Sequence, residues 1–88
     1  MPVYSVQLLP AARRQLRRLD TSARDQILDA LTALTVDPRP SGVKALAGSK
    51  ALLRVRTGDY RIVYQIEDQE LLVLVIALGH RREVYRGL

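Results

Sequence analysis

The dipeptide Gly58-Asp59 constrains this chain more than any other pair of residues. Glycine at the first central position of a two-residue β-turn favours the type II′ geometry, which joins adjacent antiparallel strands and fixes their register. With that register Thr57 opposes Tyr60, Arg56 opposes Arg61, and Val55 opposes Ile62. Opposed residues share a face of the sheet. One face then carries Leu53, Val55, Ile62, Tyr64 and Ile66, and the other carries Arg54, Arg56, Arg61 and Gln65. Both strands sort independently into the same apolar and polar faces, which supports the register.

The rest of the chain supplies a cover for the apolar face. Val3 to Leu8 alternates and reads as a short strand. Pro10 suits the first turn of a helix, followed by Ala12, Leu16 and Leu19 at helical spacing. Asp20-Thr21-Ser22 interrupts this helix and offers N-caps for a second one, with Ser22 and Asp25 at the spacing of a capping box. Ala23, Ile27, Ala30, Leu31 and Leu34 form its apolar stripe, and Asp37-Pro38 ends it. So short a connection implies an antiparallel helix pair. Residues 38–50 contain two prolines and two glycines and read as a loop. Leu52–Arg56, Tyr60–Glu67 and Leu71–Leu78 are strands; the last is apolar throughout, as in a strand covered on both faces or central in its sheet. Gly79 breaks it, and residues 80–88 read as a polar tail with His80 as a loop residue. The expected fold class is α+β: one domain over residues 1–88, with both helices on one face of a sheet whose later strands are antiparallel.

The uncovered face then gathers Arg54, Arg56 and Arg61. Like charges facing each other across strands cost a few tenths of a kcal/mol or more unless an anion binds. Otherwise these side chains splay into water or pair with Asp59, Glu67 or Glu83. Net charge is +5, and all the basic residues other than Lys44 and Lys50 are arginine, whose planar fork fits phosphate. Nucleic acid or an acidic protein is the expected partner class.

Conventional catalytic devices are absent from the sequence. The chain has no cysteine and a single histidine, His80, which rules out cysteine–zinc and multi-histidine metal sites. There is no glycine-rich phosphate loop and no Ser/His/acid set. A nuclease of this composition would work without metal or cofactor, letting a 2′-hydroxyl attack while arginines stabilise the phosphate. By chemistry, Tyr85 and His80 are the candidates to take the hydroxyl proton, and Tyr85 could equally stack on a base or pack. The chain opens without a leader pattern and has no apolar run able to span a bilayer, so a cytoplasmic protein without membrane attachment is expected.

Residues 58–66 (Gly-Asp-Tyr-Arg-Ile-Val-Tyr-Gln-Ile) resemble the central hairpin signature of RelE toxins, and residues 79–85 (Gly-His-Arg-Arg-Glu-Val-Tyr) resemble their C-terminal signature. Lys44-Ala45-Leu46-Ala47-Gly48 is similar to their Lys-x-Leu-x-Gly stretch. The resemblance to the RelE/ParE superfamily covers nearly the whole chain in order and spacing. It implies a microbial-RNase-like fold and the toxin half of a type II toxin–antitoxin pair, forming a hetero-oligomer with an antitoxin, RelB-like or another small one. In the RelE branch it implies cleavage of messenger RNA in the ribosomal A site. By position, Arg61 would stabilise the transition-state phosphate, and Arg81 would act on the leaving 5′-oxygen. Tyr85 would stack or serve as base, and Arg54 would bind phosphate and enter base chemistry. Arg56, Lys44 and Arg82 would contact RNA. Arg13 and Arg17 would meet the antitoxin or ribosomal RNA.

Leu52 departs from the pattern, since well-studied RelE toxins have lysine there, and Arg54 stands where many have lysine. Arginine cannot give up its proton, so base chemistry at residue 54 is weakened. ParE toxins, which inhibit DNA gyrase without nuclease chemistry, share the fold and the Tyr60-Arg61 and Tyr64 pattern. The set Arg54, Arg61, Arg81 and Tyr85 favours the RelE branch. A third reading is a homologue that only binds its antitoxin.

Overall fold

A computed structural model describes residues 3–46, 51–80, 82 and 84. In chain order its elements are β1 (Ser5–Leu8), α1 (Pro10–Arg18), α2 (Thr21–Val36), β2 (Lys44–Ala45), β3 (Leu53–Thr57), β4 (Tyr60–Glu67) and β5 (Leu72–His80). They form one five-stranded sheet in the order β1-β5-β4-β3-β2, with the helices packed on one face. The sheet is mixed: β1 runs parallel to β5, while every other pairing is antiparallel.

The hairpin has the register that Gly58-Asp59 implies, with Thr57 opposite Tyr60, Arg56 opposite Arg61 and Val55 opposite Ile62. Gly58 has φ +61°, which glycine adopts without the clash a Cβ would bring. A Cβ there would also collide with the Gln26 side chain, whose Nε2 donates to Thr57 Oγ1 at 3.3 Å. The turn is therefore clamped against α2.

Pro10 begins α1, and Ala12 is fully buried beneath it. The cap of α2 is Asp20 rather than Ser22: its Oδ1 accepts from the Ala23 backbone N–H at 2.8 Å. Leu19 is already extended at the end of α1, so the chain turns straight into the second helix at Asp20 and leaves Ser22 inside its first turn. Ile27, Leu31 and Leu34 pack on Ile62, Tyr64, Val73, Val75 and Leu78, all under 6% exposed. Each such large side chain contributes about 1.5–3 kcal/mol relative to its exposed state.

Three sequence expectations need correction. Residues 38–50 are not all loop, because Lys44–Ala45 add a short edge strand to β3. Gly79 does not end the last strand; with φ +150° it lies inside β5, opposite Arg61, and His80 is the final strand residue. Nor is the tail uniformly polar: Val84 is 1% exposed. It sits with Val63 and Ala77 in a second small core on the face away from the helices, flanked by Leu46, Leu52 and Ile76. A register shift at Val63/Tyr64 accompanies this, leaving Ile76 as the extra residue of β5.

Candidate functional site

Lys44 on β2 stands opposite Arg54 on β3, and Arg56 on β3 stands opposite Arg61 on β4. Because opposed residues share a face, the three strands bring four cations together on the side away from the helices. They line a cleft of about 230 Å³ whose remaining wall is Gly42. Among the described residues, no acidic side chain lines it. Gly42 has φ +87° at the third position of a turn closed by Val43 N–H donating to Pro40 O at 3.1 Å, the conformation a type II turn reserves for glycine. Its missing side chain leaves open space at the rim. Arg54 and Arg61 are also engaged within the chain.

The segment leading into β2 is held from two sides. The buried Tyr64 hydroxyl donates to Pro38 O at 2.7 Å, and burial pushes its pKa from 10.0 up to about 12, with Asp37 adding to the shift and Arg39 opposing it. Arg39 makes a two-pronged pair with Asp68 at 2.9 and 3.2 Å, and the Tyr4 hydroxyl donates to the same carboxylate at 2.7 Å. The Arg39 hydrogen bonds first, then that of Tyr4, hold the Asp68 carboxyl below its usual range. These contacts tie β1, the β4–β5 turn and the segment before β2 together, and so locate Lys44 beside Arg54.

Of the residues singled out from sequence, Lys44, Arg54, Arg56 and Arg61 converge on the cleft. Arg81 and Tyr85 lie outside the described residues. Arg82 is exposed and does not line the cleft; its backbone N–H donates to His80 Nδ1 at 3.2 Å. His80 lies opposite Tyr60, which packs with the helix-side core, so it does not share the face of Arg61. Leu52 belongs to the apolar cluster of Val63, Ala77 and Val84 that floors the arginine face. That packing gives the departure at this position a structural role. Sequence reasoning missed this floor and Gly42; the turn signal of Pro40-Ser41-Gly42 was available for the latter, and none for Val84. Arg13, Arg14, Arg17 and Arg18 are exposed on α1.

A cation-lined cleft on the open face of a small α+β sheet presents a positive potential of the kind that attracts anions. Comparison with known proteins narrows the class. The family described as ParE toxin of type II toxin-antitoxin system, parDE, matches residues 6–85. The mRNA interferase toxin RelE of Escherichia coli K12 is 31% identical over 85 residues, 93% of this chain and 90% of that protein. Toxin RelG of Mycobacterium tuberculosis is 27% identical over 84 residues, 94% and 97% of the two chains. Among solved structures, the toxin-antitoxin complex RelBE2 of Mycobacterium tuberculosis superposes with a TM-score of 0.79 at 26% identity, over 92% of this chain and 100% of that one. The chain belongs to the RelE/ParE superfamily, the toxins of type II toxin–antitoxin systems. Among its described residues no helix is long and apolar enough to cross a membrane.

Proposed function

We propose that this toxin is a ribosome-dependent endoribonuclease that cuts messenger RNA in the A site, working in the cytoplasm and held in check by a cognate antitoxin. The convergence of Lys44, Arg54, Arg56 and Arg61 on one cleft carries the reading. The named messenger RNA interferase relative supports it. The 2′-oxygen attacks the adjacent phosphorus while the bond from phosphorus to the 5′-oxygen breaks. The products are a 2′,3′-cyclic phosphate and a free 5′-hydroxyl. Arg61 sits against the phosphate, where charge builds in the transition state; a preorganised donor of this kind contributes about 3–4 kcal/mol. Arg54, Arg56 and Lys44 hold the flanking backbone. Arg81 supplies charge or a proton to the 5′-oxygen, and Tyr85 takes the 2′-hydroxyl proton or stacks on the base. Val84, next in sequence to Tyr85, packs on Val63 and Ala77 on the same face as Arg61, which supports those two assignments. The antitoxin's acidic or amphipathic segment would fold over the basic surface.

The match to the ParE family favours a second reading, inhibition of DNA gyrase without nuclease chemistry. Purified protein added separately to programmed ribosomes and to a gyrase supercoiling reaction separates the two. Cleaved message with normal supercoiling is expected; intact message with blocked supercoiling would select the gyrase reading.

A further inference from the structure

A second cavity, of about 520 Å³, opens on the helix side of the sheet, outside the cleft already described. Among the described residues its walls are Gln15 and Arg18 of α1, Leu19, Tyr60 of β4, and Leu78, Gly79 and His80 of β5. Cavities of ~300–1,000 Å³ hold small organic ligands, and this one has room for a nucleotide. Its chemistry suits one as well. Arg18 is exposed and makes no ion pair or hydrogen bond among the described residues. His80 and Tyr60 meet edge-to-face at 6.0 Å and 86°, giving an aromatic wall. His80 Nδ1 accepts the Arg82 backbone N–H at 3.2 Å, which leaves Nε2 as the ring nitrogen open to a ligand. Gln15 is fixed in place because its Oε1 accepts from Leu78 N–H at 2.9 Å, beyond the point where β1 stops covering β5.

This cavity and the arginine cleft meet at one corner of the sheet. Arg61 pairs with Gly79, and the preceding residue Tyr60 pairs with His80. Successive strand residues point to opposite faces, so Arg61 belongs to the cleft and Tyr60 to the cavity. The ridge between them includes Gly79, where a Cβ would meet no described atom within 4 Å. We infer that the cavity is a nucleotide subsite continuing the RNA path: a strand whose phosphate sits at Arg61 crosses the sheet corner at Gly79. Its next exposed base then lies against Tyr60 and His80, with a phosphate on Arg18. The inference rests on the RNA-cleaving reading of the cleft.

The test uses 2′-O-methyl oligoribonucleotides, which cannot be cut by 2′-hydroxyl attack, and free AMP. Binding of a trinucleotide, an octanucleotide and AMP is followed by fluorescence or calorimetry at several salt concentrations. The octanucleotide should bind about tenfold more tightly than the trinucleotide, the scale of one stacked base. Arg18→Ala and His80→Ala should erase that gain without changing thermal stability. Arg18→Ala should also lower the slope of log K against log salt by about 0.7, one phosphate of a single strand. Arg61→Ala should weaken both oligonucleotides alike. Unchanged octanucleotide binding in Arg18→Ala and His80→Ala, with Arg61→Ala still defective, overturns the subsite and leaves the cleft reading standing. AMP binding in the cavity without any gain from strand length overturns the continuous path in favour of a free-nucleotide site. Failure of both oligonucleotides to bind the free protein overturns the subsite, while the ribosome-dependent cleft reading is decided separately by cleavage on programmed ribosomes.

Discussion

Replacing Tyr64 by phenylalanine removes a single hydroxyl from the largest fully buried side chain among the described residues. The ring stays in the core, but Pro38 O loses its donor at 2.7 Å. Leaving a buried acceptor unsatisfied costs about 1–2 kcal/mol. For a domain of this size that lowers the melting temperature by roughly 4–8 °C per kcal/mol. The pH dependence makes the reasoning sharper. Burial raises the folded pKa of this hydroxyl from 10.0 to about 12, so the folded state retains a proton that the unfolded chain releases. The stabilisation is fully present below pH 10 and is lost as pH rises from 10 toward 12. At about 1.36 kcal/mol per unit, wild type loses about 1.4 kcal/mol through this group by pH 11, whereas the phenylalanine variant loses none through it. The other tyrosines and the basic residues titrate in both proteins and cancel in the difference. Urea denaturation at pH 8, 9, 10 and 11 should show the wild-type advantage shrinking to near zero at the top of the series. A gap that stays constant from pH 8 to 11 would refute the buried, proton-holding role of Tyr64.

Two other perturbations probe the same framework. Asp68 has a lowered carboxyl pKa, so its pairing contributes stability above the unfolded value of 3.8 and loses it as pH falls through the folded value; urea denaturation across pH 2.5–5 should show a flatter acid limb in Arg39→Ala, and an unchanged limb would count against the Arg39–Asp68–Tyr4 junction. Gly58→Ala should destabilise the domain by about 1–3 kcal/mol, because the new Cβ both meets Gln26 and sits at φ +61°; a melting temperature equal to wild type would show that the turn is not clamped as described.

The sequence disclosed the hairpin because its information is local. Glycine at residue 58 selects the turn, the turn selects the register, and the register places Arg54, Arg56 and Arg61 on one face. The stripes of α1 and α2 were legible for the same reason: Ala12, Ile27, Leu31 and Leu34 are spaced for one helical face and are buried. What escaped depends on contacts between distant residues. Nothing within Ser5–Leu8 announces that it runs parallel to β5. A strand of two residues, Lys44–Ala45, is too short to show a period, and its place beside β3 is supported by backbone bonds such as Leu46 N–H to Leu52 O at 2.8 Å. Val84 looked like tail because its burial depends on Val63 and Ala77, which are paired across β4 and β5. Asp20 and Ser22 were rival caps by composition, and the abrupt end of α1 decided between them.

Family resemblance marks Lys44 as a candidate RNA contact, and the strand pairing with Arg54 supplies the physical reason for its place. Leu52 is the converse case: a departure that read as a lost basic contact becomes part of the apolar floor under the arginines. Removing a lysine from that floor need not remove phosphate binding, since Arg54 and Arg56 remain on the lining.

The central claim is that the cleft around Arg61 cleaves translated message. Primer extension on messenger RNA from cells pulsed with the protein tests it most directly, beside cells expressing an Arg61→Ala variant shown to melt at the wild-type temperature. Cuts confined to translated codons are expected with the wild-type protein and none with the variant. Codon cleavage that persists in the folded Arg61→Ala protein, or growth arrest with intact message, would contradict it.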